Sequence, residues 1–211
     1  SIRSTVVFPD FEPGFHVAGF TFGVDCRLGG GGLDPADGFS INFARSSTIG
    51  GTIDPVIGTG EGYAGTNNVG HTEANRHEEG TQTGIGIGFD AYFSGGEDKI
   101  GISVRVDNQL LSQVELPFKN LDSSDPNYAN SLQTGPRLPD PATAQDRVAA
   151  LGWARFEVSL NPNTGLLSIW WKGVKVVDDL NTNFVPGPGR LVFGARTGGQ
   201  NQVHHFDNLS L

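Results

Sequence analysis

Two short runs on either side of one turn constrain this chain more than anything else in it. In TGIGIGFD, Ile85, Ile87 and Phe89 alternate with Gly86, Gly88 and Asp90. In IGISVRVD, Ile100, Ile102, Val104 and Val106 alternate with Gly101, Ser103, Arg105 and Asp107. A period of two is that of a strand with one buried face. The connecting AYFSGGEDK has glycines for a tight reversal, and Asp90, Glu97 and Asp98 gather carboxylates at one strand end. A hard cation or a sugar hydroxyl can be held there. An acidic turn is equally ordinary at a soluble hairpin tip, so spacing alone leaves both readings open.

The rest of the chain fits an all-β body. Gly and Pro make up 43 of 211 residues, too many breakers for long helices and without a collagen period. The length suits one sandwich or barrel, a single domain over 1–211. No run approaches the ~18 apolar residues of a membrane helix. Cys26 is the one cysteine, which excludes an internal disulfide and reads as a buried thiol. A net charge of −9 with only 14 scattered Lys and Arg argues against nucleic acid or anionic lipid as partner. An acidic, Gly- and Asn-rich, Lys-poor chain that starts at Ser1 and lacks Met reads as secreted or extracellular. It is expected to be either a mature product or a domain excised from a larger exported protein or assembly.

Alternation predicts eleven strands, near 4–9, 15–25, 38–45, 84–92, 99–107, 109–117, 153–161, 166–172, 174–178, 190–196 and 203–211. Short strands separated by turn residues predict two packed antiparallel sheets rather than βαβ units. Asn161–Gly165 and Lys172-Gly173 read as hairpin turns. Residues 46–83 and 119–152 show little periodicity and are expected as long loops, the second carrying a short helical stretch, AQDRVAALG.

The order of motifs resembles legume-type (L-type) lectins of the concanavalin A-like superfamily. PADGFSINFA at 35–44 resembles their ADG-aromatic strand, GTGEGYAG at 58–65 their glycine loop, and IGFDAY at 87–92 their metal-bearing strand. WARFEVSLNPNTGLLSIWWKG and RLVFGARTGGQNQVHHFDNLSL resemble strands of bacterial concanavalin A-like and laminin G-like domains. The implied fold is a two-sheet antiparallel jelly-roll β-sandwich, and the implied activity is non-catalytic binding of a polysaccharide or glycan. The resemblance further implies that Asp37 follows a cis peptide and accepts hydrogen bonds from sugar hydroxyls. A backbone amide of Gly60 or Gly62 would support it. A carboxylate suits the task because it accepts two hydroxyl hydrogens. Aromatic rings complete such sites by stacking, which singles out Tyr92 and, as the strand residue facing away from Trp171, Trp170.

Departures from that pattern concern the metals. Where legume lectins read Glu-Phe-Asp, this chain reads Gly88-Phe89-Asp90, and Lys99 replaces a histidine. The transition-metal site therefore lacks two ligands, while one calcium through Asp90 and Asp98 survives. Asp207 is a second calcium candidate, since an aspartate on the last strand of many carbohydrate-active jelly rolls joins N-terminal carbonyls in a structural site; capping a turn or pairing with Arg196 is the alternative. The histidines do not suggest zinc: HTEANRHEE lacks the HExxH spacing, and His204 and His205 project to opposite faces of a strand.

Two further classes stay open. Hydrolases of this sandwich carry an ExDxxE triplet, which is absent, so no catalytic residue is assigned. RFEV at 155–158 and QVH at 202–204 resemble alginate-lyase strands, but the Tyr-Lys strand that completes such a site has no room after His204. A structural laminin G-like adhesion or assembly domain is the third class.

Overall fold

The computed structural model describes residues 2–46, 63–64, 76–93, 95, 98–117 and 124–211. Thirteen strands are described: β1 (Ile2–Val7), β2 (Phe20–Gly29), β3 (Gly38–Arg45), β4 (Tyr63–Ala64), β5 (Arg76–Thr81), β6 (Ile85–Asp90), β7 (Gly101–Val106), β8 (Gln109–Glu115), β9 (Ala154–Leu160), β10 (Leu166–Trp171), β11 (Val174–Asn181), β12 (Gly189–Thr197) and β13 (Val203–Ser210). A six-stranded antiparallel sheet, β1-β12-β3-β6-β7-β8, faces a five-stranded one, β11-β10-β9-β2-β13. These eleven strands are the ones that alternation predicts. No helix among the described residues is long and apolar enough to cross a membrane.

Alternation places the core. Phe39, Ile41, Ile87, Phe89, Ile102 and Val104 of the first sheet meet Phe22, Val24, Phe156, Val158, Ile169 and Trp171 of the second. Phe89 stacks on Phe39 at 4.3 Å and meets Phe156 and Trp171 edge-on. Edge-to-face and offset pairs of this kind add to the area they bury. Trp171 Nε1 donates to Ser131 O at 2.9 Å, so the indole's polar atom is satisfied inside. Cys26 is buried beside this core, and desolvation raises its thiol pKa far above the ordinary value.

The hairpins are built as their residues require. Asp107-Asn108 joins β7 to β8 with φ of 45° and 65°, and Lys172-Gly173 joins β10 to β11 with φ of 52° and 77°. Positive φ at both central residues is the type I′ pattern that matches strand twist. AQDRVAALG contains one short helix, α1 (Ala144–Ala149), opened by a capping box between Thr143 and Asp146.

The structure departs from the expectation for 46–83, where β4 and β5 pair in a small separate sheet. The sequence of β5, RHEEGT, has no apolar period, yet all six residues are buried. It lies across the outer face of the six-stranded sheet because Gly86 and Gly88 leave room there for its backbone. A Cβ at Gly88 would stand 2.5 Å from Glu78 O and 3.2 Å from Glu79 Cα, and one at Gly86 would stand 3.0 Å from Gly80 Cα. Polar side chains fasten the strap: Ser40 Oγ donates to His77 O at 2.5 Å, and Asn42 Oδ1 accepts from Thr81 N at 3.1 Å.

Candidate functional site

The end of β3 and β6 that carries Asp37 and Asp90 is where charge concentrates. The Ala36–Asp37 peptide is cis, as expected. Gly38 pairs with Asp90, and Ala91 N donates to Asp37 O at 2.8 Å, which locks the two aspartates onto neighbouring strand ends. Tyr92 N donates to Asp90 Oδ1 at 2.8 Å. Tyr92 and Phe93 follow directly, 37% and 50% exposed, giving the site an apolar lip.

Under this lip lies a buried ionic layer between β5 and the outer face of the sheet. Arg196 Nη1 reaches Glu78 Oε1 at 2.9 Å, Arg76 Nη1 stands 3.7 Å from the same oxygen, and Arg105 Nη2 reaches Glu79 Oε2 at 3.1 Å. Arg196 Nε is 3.5 Å from Asp37 Oδ2. Five carboxylates (Asp37, Glu78, Glu79, Asp90, Asp98) thus share the layer with three guanidiniums (Arg76, Arg105, Arg196). The layer thus holds two more carboxylates than guanidiniums. Burial, opposed by Arg196, lifts Glu78 to about 7. Burial and the facing Glu79 and Asp98 hold Asp90 well above the ordinary aspartate range.

Ligand atoms of Glu79, Asp90 and Asp98 all lie within 4.8 Å of one another. Oxygens bound to one Ca²⁺ at 2.3–2.6 Å are separated by at most about 5 Å, so the three carboxylates have the spacing of ligands to a single ion. Their chemistry is all hard oxygen, with no imidazole or thiolate in the group, which suits calcium rather than zinc.

The structure therefore brings Asp37, Asp90, Asp98 and Tyr92 to one strand end. Gly60 and Gly62 lie outside the described residues. Trp170 is not part of this site. It sits on the outer face of the five-stranded sheet, opposite Trp171, with Lys175 Nζ 5.3 Å from its ring. Asp207 also stands apart, on β13 opposite Asp25, where its Oδ1 accepts from Asn208 N. Arg196, its alternative partner in the sequence reading, is held instead by Glu78 and Asp37. Asp37 itself is more enclosed than a pocket wall, its side chain only 13% exposed.

Glu79 was not legible as a site residue, because its segment has no strand period. Its delivery depends on Gly88: where the lectin resemblance places a glutamate, the bare glycine admits the β5 backbone, and β5 supplies the carboxylate. The lyase-like residues do not converge. Arg155 and Glu157 face away from the core that Phe156 enters, whereas His204 packs on the core ring of Phe39.

Comparisons agree with this architecture. No protein-family model matches the sequence, and no curated protein matches it. Among solved structures, the carbohydrate recognition domain of Emp46p in a potassium-bound form superposes with a TM-score of 0.51 at 11% identity, over 97% of this chain and 75% of that one. The same domain of Emp47p gives 0.50 at 13% identity with the same coverage. The exoplasmic/lumenal domain of VIP36 in a Ca²⁺-bound form gives 0.50 at 14%, over 97% and 70%. With alternating strands, sheet order and superposition in accord, the chain has the concanavalin A-like lectin fold, a two-sheet β-sandwich jelly roll.

Proposed function

We propose that this chain is a non-catalytic, calcium-dependent glycan-binding module whose site is the Asp37–Asp90 strand end. The observation that carries the reading is the buried triad of Glu79, Asp90 and Asp98 directly behind the exposed Tyr92 and tied through Ala91 to Asp37. In this reading one calcium ion, when bound, neutralises the excess charge of the layer. Glu79, Asp90 and Asp98 hold it and so fix the backbone from Asp90 to Tyr92. Asp37 accepts sugar hydroxyls, and the Tyr92 ring offers a face for stacking. The Ca²⁺-bound VIP36 domain supports both the ion and a lumenal or extracellular setting.

A second reading is favoured by the enclosure of Asp37: a structural sandwich in which Asp37 does no more than hold Arg196. A glycan array probed with the wild type and with Asp37→Asn, each in millimolar Ca²⁺, separates the two. Glycan binding that disappears in the variant supports the lectin reading. Binding that persists unchanged, or a wild type that binds no glycan, leaves the structural one.

A further inference from the structure

A cavity at the other end of the sandwich has no part in the site above. It occupies about 250 Å³ between the two sheets. Its walls are the inner ends of β2, β3, β6 and β12, with Phe20, Phe22, Ile41, Phe43, Ile85 and Leu191 as the main apolar lining. Ile85 pairs with Phe43 whereas Asp90 pairs with Gly38, five residues away along each strand. At ~3.3 Å per residue the cavity is about 16 Å from the carboxylate triad along the strand direction.

An interior normally leaves few voids larger than a water molecule. At about 30 Å³ per water-sized group, this one has room for about eight carbon-sized groups. A smaller engineered apolar cavity, of about 150 Å³, already takes up benzene. The cavity is open rather than sealed, with the segment Asp10, Phe11 and Glu12 and the terminal Leu211 along its border. Phe11 and Leu211 are exposed there, so apolar surface continues outward from the cavity. The polar side chains at the border are the carboxylates of Asp10 and Glu12, because Thr21, Asn42 and Arg190 alternate with the inward-facing Phe20, Phe22, Ile41, Phe43 and Leu191 and turn away from the cavity. Both carboxylates accept hydrogen bonds. A hydroxyl head group is met by such a border, and a carboxylate head group is repelled by its net negative charge and by that of the whole chain.

We propose that this cavity is a binding site for an aliphatic chain of about eight carbons bearing an uncharged hydroxyl head group. The inference is independent of the glycan site and stands or falls without it.

The test uses the full chain and the uncharged fluorophore N-phenyl-1-naphthylamine, displaced by 1-octanol or by octanoate at pH 7.5. Saturable fluorophore binding that 1-octanol reverses, with octanoate at least tenfold weaker, is the expected result. Leu191→Phe fills the void and is expected to abolish binding with an unchanged or raised Tm. Val158→Leu, a smaller intrusion from β9, which also lines the cavity, is expected to weaken binding if the larger side chain at 191 prevents folding. No saturable binding, octanoate equal to or better than octanol, or full binding by folded variants would overturn the proposal.

Discussion

Replacing Asp90 by Asn should reverse the order of stability between metal-free and calcium-loaded protein. In the metal-free state the Asp90 carboxylate faces Glu79 and Asp98 at no more than 4.8 Å, all three buried. At an effective dielectric of about 20, each such pair repels by about 3 kcal/mol, which Arg105 on Glu79 partly offsets. Protonation of the aspartate caps the penalty at pH 7 at roughly 4 kcal/mol. Asn keeps the shape and the acceptor for Tyr92 N, and its amide donates to the remaining carboxylates. The variant in EDTA should therefore be more stable than the wild type by about 1–3 kcal/mol, a Tm rise of roughly 3–10 °C for a chain of this length. In calcium at a hundredfold excess over Kd the wild type gains about 2.7 kcal/mol. The variant, having lost a charged ligand, should gain far less, so the two melting curves change places. Differential scanning calorimetry of both proteins in EDTA and in 5 mM CaCl₂ reads this directly. A variant less stable than wild type in EDTA refutes the claim that the carboxylates repel one another, and equal calcium shifts refute the assignment of the ligand.

Gly88→Ala forces a methyl group against the backbone of Glu78 and Glu79, which cannot swing aside as a side chain can. Urea unfolding should show a loss of about 1–3 kcal/mol, and the calcium-induced Tm shift should fall with it because Glu79 is displaced. His204 is held down at about 4 by burial, with His205 adding to the effect, so the unfolded chain binds a proton that the folded one refuses between about pH 6.5 and 4. Stability from this residue is therefore complete above about 6.5 and is lost as pH falls to about 4, on the order of 3 kcal/mol; His204→Gln in EDTA should show a shallower acid decline. Desolvation of Cys26 predicts that Ellman's reagent labels the native protein only as fast as it unfolds, and labelling within seconds would contradict the burial.

The sheets were legible because apolar alternation records burial on the core side, and all eleven strands of the two large sheets write that record. The strap β5 was not, because its burial is achieved with Ser40, Asn42 and a glycine lane rather than with apolar side chains, and a polar residue leaves no period. The glycines of β6 were visible as a regular feature; their meaning, a track for a second backbone, depends on a segment some ten residues earlier that sequence cannot dock. Asp90 and Asp98 were legible as carboxylates gathered at one strand end, and the structure brings them together. Trp170 was chosen by its place on a strand, and β10 carries it onto the outer face of the other sheet; Asp207, read as a separate site, lies on β13 opposite Asp25.

The central claim is that a cation held by Glu79, Asp90 and Asp98 shapes a sugar site at Asp37 and Tyr92. A crystal structure of the wild type soaked with CaCl₂ and an oligosaccharide mixture measures it most directly. The account predicts density for an ion 2.3–2.6 Å from oxygens of all three carboxylates, with a sugar ring within hydrogen-bond distance of Asp37 and in contact with Tyr92. A sugar bound elsewhere on the sandwich, or a triad that excludes the ion at saturating calcium, would contradict it.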